Sequence, residues 1–561
     1  MAEGLEYGKS LHSRVPADRW CVTREDLRRL RMEVWQATQE GRVLQTELDK
    51  FDVTDRECGP NMYSINEQFI KPVTAEFGGP SWALMLHPDG LACDIFITHA
   101  WQEGFFEFVN KLLYSWPGRG LNAWCCMLAN PQNLDISSML DDPSASPFAI
   151  ALRSCACVLA VPNKKTSIYT RMWCSYEAFL AVEHDKMIIS AIDSRLRQKV
   201  AALTKLFVLT VLSNLFGFAM LLLNRPAAHI FDRVAFFTYC FSALFALFVE
   251  NSTARRIIHV CGVSAAGYEL SQVSIPSSIF KDESFPRFFR VSIWLIGLVF
   301  FFASERDRLE LEGTIIQSGM LHSGYAGIRH SECSNQADLH SIRREISSNI
   351  DAVDHTIRVL IRAGMSTSRL RKAAALGVDV QDAAHMELAA SSAYLCSIAW
   401  FIGISVWLAR REPLNVFYHV CLASVSTFVS ISFITLAYYL KFDRRAFLFK
   451  VSNRMAIIAF VFCLIVYARF RLERIWTQKV EDIFSWERTG FSQICVVANF
   501  FMLLTLLLAK AGCDRVAQWP LLGRTIAHFF LRRSLRMWKS CPCFEEIDLF
   551  RYSDDSSASE S

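Results

Sequence analysis

Leu206 to Leu223 is an unbroken run of 18 uncharged, mostly aliphatic and aromatic residues. A backbone in lipid must satisfy its own polar groups, so such a run folds as a helix that, with its flanks, can cross a bilayer. Val234–Val249, Ala393–Ala409, Val416–Leu440, Met455–Ala468 and Phe491–Ala509 have the same character. Hydrophobic residues make up 52% of the chain and phenylalanine alone numbers 43, which favours an integral, multi-pass membrane protein over a soluble one. Val291–Ala303 falls short of the roughly 20 residues a span needs. It is flanked by Arg287, Arg290 and Arg306, and a short span, a re-entrant piece or an interfacial helix would each fit it.

Basic residues near span ends favour the cytosol. Six spans place Arg255-Arg256, the Lys441–Lys450 group and Arg532, Arg533, Arg536 and Lys539 on that side together with the N-terminal domain. Seven spans would move the last two groups across, whereas Arg410-Arg411 counts against six. The span interiors hold almost nothing ionisable, His419 and Asn499 being the main polar residues. Active transporters keep charges at membrane depth, so anchoring or signal relay is expected. A channel with a hydrophobic gate is the alternative.

The first 200 residues differ. Met1–Pro16 has no apolar core, so no cleaved signal peptide is expected. A net charge of +4 leaves no polyanion footprint, and no nucleic-acid partner is expected. The 18 cysteines show no zinc-type CxxC pairs, and no metal site is expected. Cys125-Cys126 and Cys155/Cys157 fall in predicted strands, where they read as small buried hydrophobes in a reducing compartment. Leu27, Leu30, Val34, Ala37, Leu44 and Leu48 predict an amphipathic helix over Asp26–Lys50, interrupted at Gly41 and packed on the next domain or on a second copy.

Short continuous apolar runs then alternate with helical patterns. They predict strands at Asp94–Thr98, Leu121–Leu128, Cys155–Pro162 and Lys186–Ile192, with helices at Gly104–Ser115, Phe148–Arg153 and Arg171–Glu183. Buried strands joined by helices make a doubly wound, flavodoxin-like parallel sheet. Ligands in such sheets bind at the carboxyl ends of the strands, which brings His99 and Trp101, after the first strand, toward the crevice. Trp173 and Glu177 are four apart and share a helix face. No Walker A loop, GxGxxG fingerprint or hydrolase elbow occurs.

Asp94-Ile95-Phe96-Ile97-Thr98-His99-Ala100 resembles the opening strand of a TIR (Toll/interleukin-1 receptor) domain of the bacterial kind, with Thr98 in place of serine. Pro147–Leu152 is similar to the segment before that family's third strand, and Trp173-Cys174-Ser175-Tyr176-Glu177 to its Trp-Cys-x-x-Glu motif. The resemblance covers roughly residues 90 to 195. Ala129–Ser137 lacks the expected glycine, and the residues after His99 lack the usual acidic pair. The resemblance implies a domain that associates with other TIR-like domains and, in its enzymatic members, cleaves NAD with the glutamate that corresponds to Glu177. NAD would then be a substrate, with no cofactor required. A carboxylate suits the oxocarbenium-like charge that develops at the ribose, with His99, Trp101 and Trp173 as substrate-binding candidates. Docking without catalysis is the other role such domains have.

The expected organisation is a helical extension (1–60), the TIR-like domain (61–197), a first transmembrane group (201–304), a polar helical insert (305–390), a second transmembrane group (391–510) and a C-terminal piece (511–561). Asp338–Ala363 in the insert carries a helical apolar stripe that ends at Gly364. Trp519–Lys539 reads as a basic amphipathic helix, lying on an anionic leaflet or packed on the spans. Cys541 and Cys543 are candidates for acylation, and Ser553–Ser561 reads as disordered.

Overall fold

A computed structural model describes residues 6–118, 120–223, 228–249, 251–274, 287–411, 416–477 and 483–531. The basic residues from Arg532 on, the Cys541/Cys543 pair and the Ser-rich tail lie outside them.

The first 200 residues build most of a six-stranded sheet. β1 is Val22–Thr23, β2 Ile95–Thr98, β3 Asn122–Cys125, β4 Cys157–Ala160, β5 Met187–Ser190 and β6 Met365–Ser366, in the order β1-β3-β2-β4-β5-β6. The inner four are parallel, with Ile95 opposite both Ala123 and Cys157, and Cys157 opposite Met187. Every residue of β2 and β4 is buried, as both faces of a parallel sheet must be. The two edges are antiparallel, so the sheet is mixed where an all-parallel one was expected. Each edge strand is two residues long, and each comes from sequence that flanks the α/β unit. Such short, antiparallel strands close the open hydrogen-bonding edges of the sheet.

Four helices pack on this sheet: α1 (Arg24–Gln39), α2 (Phe105–Ser115), α3 (Pro147–Ser154) and α4 (Met172–Glu183). Thr23 caps α1 in a reciprocal box with Asp26, and Ser146 caps α3 ahead of Pro147. Helix α1 ends eleven residues short of the expected Lys50. Gly41 takes φ +72° just beyond it, and Leu44 and Leu48 are 61% and 94% exposed, outside the stripe. β3 also stops early, at Cys125, and Cys126–Ala129 turns into one helical turn. The Gln132 amide donates to the Met127 and Asn130 carbonyls (3.2 and 3.1 Å) and holds that turn.

The apolar half begins with α5 (Leu196–Leu222), α6 (Ala228–Phe248), α7 (Ser252–Ser274) and α8 (Arg287–His322). The insert adds α9 (Gln336–Ile346) and α10 (Ile350–Ala363), the latter ended by Gly364 at φ +75°. Then come α11 (Ala389–Arg411), α12 (Val416–Tyr439), α13 (Phe442–Thr477), α14 (Ile483–Ala511) and α15 (Gly523–Leu531). Among the described residues, four helices are long and apolar enough to cross a membrane: Leu196–Leu222, Ala389–Val406, Val416–Tyr439 and Gln493–Ala511. Arg233–Ala246 is a shorter apolar helix.

Helix α7 was not expected from the sequence. It packs against α5, α6 and α8, so other helices rather than lipid bury it, and it needs no long apolar run. Glycines let it approach closely: a methyl group on Gly267 would lie 2.5 Å from the Thr210 carbonyl oxygen, and one on Gly262 2.2 Å from the Phe301 ring. Val291–Ala303 is one end of the 36-residue α8, which rises roughly 1.5 Å per residue. Beyond that apolar end α8 turns polar and meets the α/β unit, where Tyr114 donates to Glu310 (2.6 Å) and Met320 Sδ lies 3.7 Å from Lys111 Nζ.

One apolar core runs from Leu11 to Ala191 and also takes in Leu321 to Ile361. The N-terminal extension and the insert are thus packed into the α/β unit. Between α12 and α14, Asn499 donates to the Ser426 hydroxyl (2.8 Å), and His419 of α12 is buried. Ala527, Phe530 and Leu531 of α15 are buried against Phe447 and Val451 of α13, so this part of the C-terminal piece packs on the helices.

Candidate functional site

The strand order reverses between β2 and its neighbours: the chain goes out to β3 on one side and returns to β4 on the other. A crevice forms at the carboxyl ends of the strands at such a point. Thr98 ends β2 there and His99 follows it, while Glu177 comes in from the first half of α4.

Glu177 is 5% exposed, and its Oε2 is buried without a hydrogen-bond partner. Burial pushes its carboxyl up to about 7, against the pull of the Thr98 hydroxyl, His99 and the Arg171 guanidinium. A carboxyl balanced near neutrality can hold or release a proton at physiological pH, as general acid–base work requires. Arg171 is fixed beside it by a hydrogen bond to the Tyr63 hydroxyl (3.2 Å).

The His99 ring is fully buried and has a neighbour at each nitrogen. Nδ1 lies 2.9 Å from Glu103 Oε1, and Nε2 lies 3.2 Å from Cys126 Sγ and 3.5 Å from Cys125 Sγ. Burial works against a charged imidazole, but the two thiols beside it raise its pKa well above the ordinary value. Glu103 is pushed up to about 7 by burial, opposed by His99 and Lys111. Behind it, Lys111 pairs with Glu107 (2.7 Å) and donates to the Pro162 carbonyl (2.5 Å).

Trp101 reaches the same cluster, its indole N–H donating to Cys126 Sγ (3.3 Å) and its ring 5.4 Å from that of Tyr63. Trp173 does not. Its indole stacks on Phe148 (5.0 Å between centroids) and donates to Asp338 of the insert (3.2 Å). The helix face it was expected to share with Glu177 delivers the two side chains to different neighbours. Glu103, Cys126 and Arg171 were not among the expected site residues. The only local signal was the four-residue spacing of His99 and Glu103. Cys126 was expected in a strand as a buried hydrophobe, but it opens a helical turn and is half-buried.

The insert covers the loop ahead of α4. Ser167 N–H donates to the Ser323 carbonyl (2.8 Å), Glu332 exchanges backbone hydrogen bonds with Thr170 and Met172, and the Tyr176 hydroxyl donates to Glu345 (2.7 Å). Among the described residues no cluster of three or more His, Cys, Asp or Glu could hold a metal ion. No protein-family model matches the chain, and neither a curated protein nor a solved structure matches it significantly.

Proposed function

We propose that this is a membrane-anchored signalling protein whose α/β domain is of the TIR type, faces the cytosol and cleaves NAD at the ribose–nicotinamide bond through Glu177. The observation that carries the reading is the Glu177 carboxyl itself: buried, with an unpaired oxygen, near-neutral in pKa, and held at the strand-order reversal. The parallel strands alone read 2-1-3-4, which supports a flavodoxin-like sheet with its ligand at that point. A carboxylate there stabilises positive charge developing on the ribose. Nicotinamide leaves as a neutral group, so no strong acid is needed beside it. Because α8 runs from the apolar helices to the α/β unit, and the insert that follows it clamps α4, clustering or ligand binding in the membrane half has a direct route to Glu177. Self-association with other TIR-like domains is the expected trigger.

The test is nicotinamide release from NAD by the full-length protein in lipid nanodiscs, dispersed and clustered, beside Glu177→Gln. The full chain is required because residues 61–197 alone would lack both edge strands. Release that clustering increases and the variant abolishes supports the proposal. Absence of release in both states leaves a docking domain.

A further inference from the structure

A second chemistry lies beside Glu177 and is independent of the NAD reading. A sulfur nucleophile needs a base within hydrogen-bond reach and a third group that orients the base. Cys126 Sγ is 3.2 Å from His99 Nε2, and His99 Nδ1 is 2.9 Å from Glu103 Oε1. The Trp101 indole N–H points at the same sulfur from 3.3 Å, a donor suited to a thiolate. Glu103 is 1% exposed, and its other oxygen is buried without a partner, so the carboxyl is committed to His99. Cys126 is half-buried, whereas Cys125 and Cys174, the other thiols at His99, are buried. The remaining charged or titratable neighbours of the pair are Glu177, the Arg171 guanidinium, which faces Cys126 and Cys174, and, beyond Glu103, Lys111.

We infer that Cys126 is a nucleophilic cysteine with His99 as the base that takes its proton and Glu103 as the positioning residue, and that it reacts with hydroperoxides as a redox-sensing site. The thiolate sulfur attacks the terminal oxygen of the hydroperoxide, so the S–O bond forms as the O–O bond breaks. Sulfur gives up two electrons and the peroxide is reduced. The departing oxygen takes the His99 Nε2 proton and leaves as water or an alcohol. Cys126 becomes a sulfenic acid and His99 is left neutral. The modification falls on a side chain that touches both His99 and Trp101, so oxidation would alter the same crevice that holds Glu177.

The experiment uses full-length protein in detergent and reads individual cysteines by peptide mass spectrometry. Iodoacetamide alkylation is timed from pH 5.5 to 9.5 beside free N-acetylcysteine as the reference, because burial pushes the half-buried Cys58 and Cys333 thiols up and slows them. At pH 6 a free thiol is less than about 1% thiolate, so Cys126 should react about 30-fold or more faster than N-acetylcysteine, the gap closing toward pH 9.5. His99→Gln should erase the gap at pH 6, and Glu103→Leu, which removes the acceptor at Nδ1 altogether, should narrow it. One equivalent of hydrogen peroxide with dimedone should label Cys126 in the native protein and spare it in His99→Gln. Equal rates for Cys126 and N-acetylcysteine at pH 6 overturn the proposal, as does a gap that survives His99→Gln. Should His99→Gln fail to elute as a monodisperse species, Glu103→Leu decides: an unchanged gap there overturns the assignment. A peroxide-treated native protein without a dimedone adduct on Cys126 overturns the redox role.

Discussion

Replacing Glu177 by glutamine gives the sharpest check on the geometry around it. The carboxyl rises from an ordinary 4.5 to about 7 because the folded chain buries it. The sign follows from proton uptake. Below pH 4.5 the group is neutral in both folded and unfolded chains, and burial costs the native state nothing extra. Between 4.5 and 7 the unfolded chain gives up a proton that the folded chain keeps, so stability falls as pH rises. Above 7 the loss is complete. Each pH unit between the two values costs about 1.4 kcal/mol, so the whole loss amounts to about 3 kcal/mol. Glutamine has the same shape and no charge to bury, so Glu177→Gln should match the parent at pH 4.5 and exceed it by about 3 kcal/mol at pH 8. For a unit of this size that corresponds to roughly 5–10 °C in the melting temperature. Thermal melts of the full chain in detergent, followed by tryptophan fluorescence at both pH values, read the difference. Glu103, also near 7, is common to both proteins and cancels. A stability gap that does not change with pH, or a variant less stable at pH 8, would refute the buried, under-compensated carboxyl. Together with loss of NAD cleavage, the predicted gain would mark a group that stabilises the reaction at the expense of the fold.

Two further outcomes follow from packing. Lys111→Met strands the buried Glu107 carboxylate and should destabilise the protein by about 3–5 kcal/mol, while the double change with Glu107→Leu should recover most of that loss in the same melts. Gly262→Leu drives a side chain into the Phe301 ring where α7 crosses α8; a sharp fall in monodisperse yield is expected, and an unchanged yield and melting temperature would show that the helices do not approach so closely.

The strands and the helices that follow them were legible because their signals are local. Ile95-Phe96-Ile97 is continuously apolar because both faces of a parallel strand are covered, and Leu206–Leu223 is continuously apolar over a length that could cross a membrane. Glu177 could be singled out from five consecutive residues. Only the tertiary structure decided the rest. α7 escaped notice because neighbouring helices bury it, which leaves its composition ordinary. The edge strands were invisible because two residues carry no period, and their partners lie about 100 and 175 positions away in the chain. Trp173 and Glu177 follow the expected helical spacing, yet Phe148 and Asp338 claim one while Thr98 and His99 surround the other. The convergence of Glu103, His99 and Cys126 joins the end of one strand to the end of the next, 27 residues on. Sequence determines which segments must leave water and how they repeat. Which side chains then meet depends on register and helix crossing, and these are fixed by the packing of distant segments.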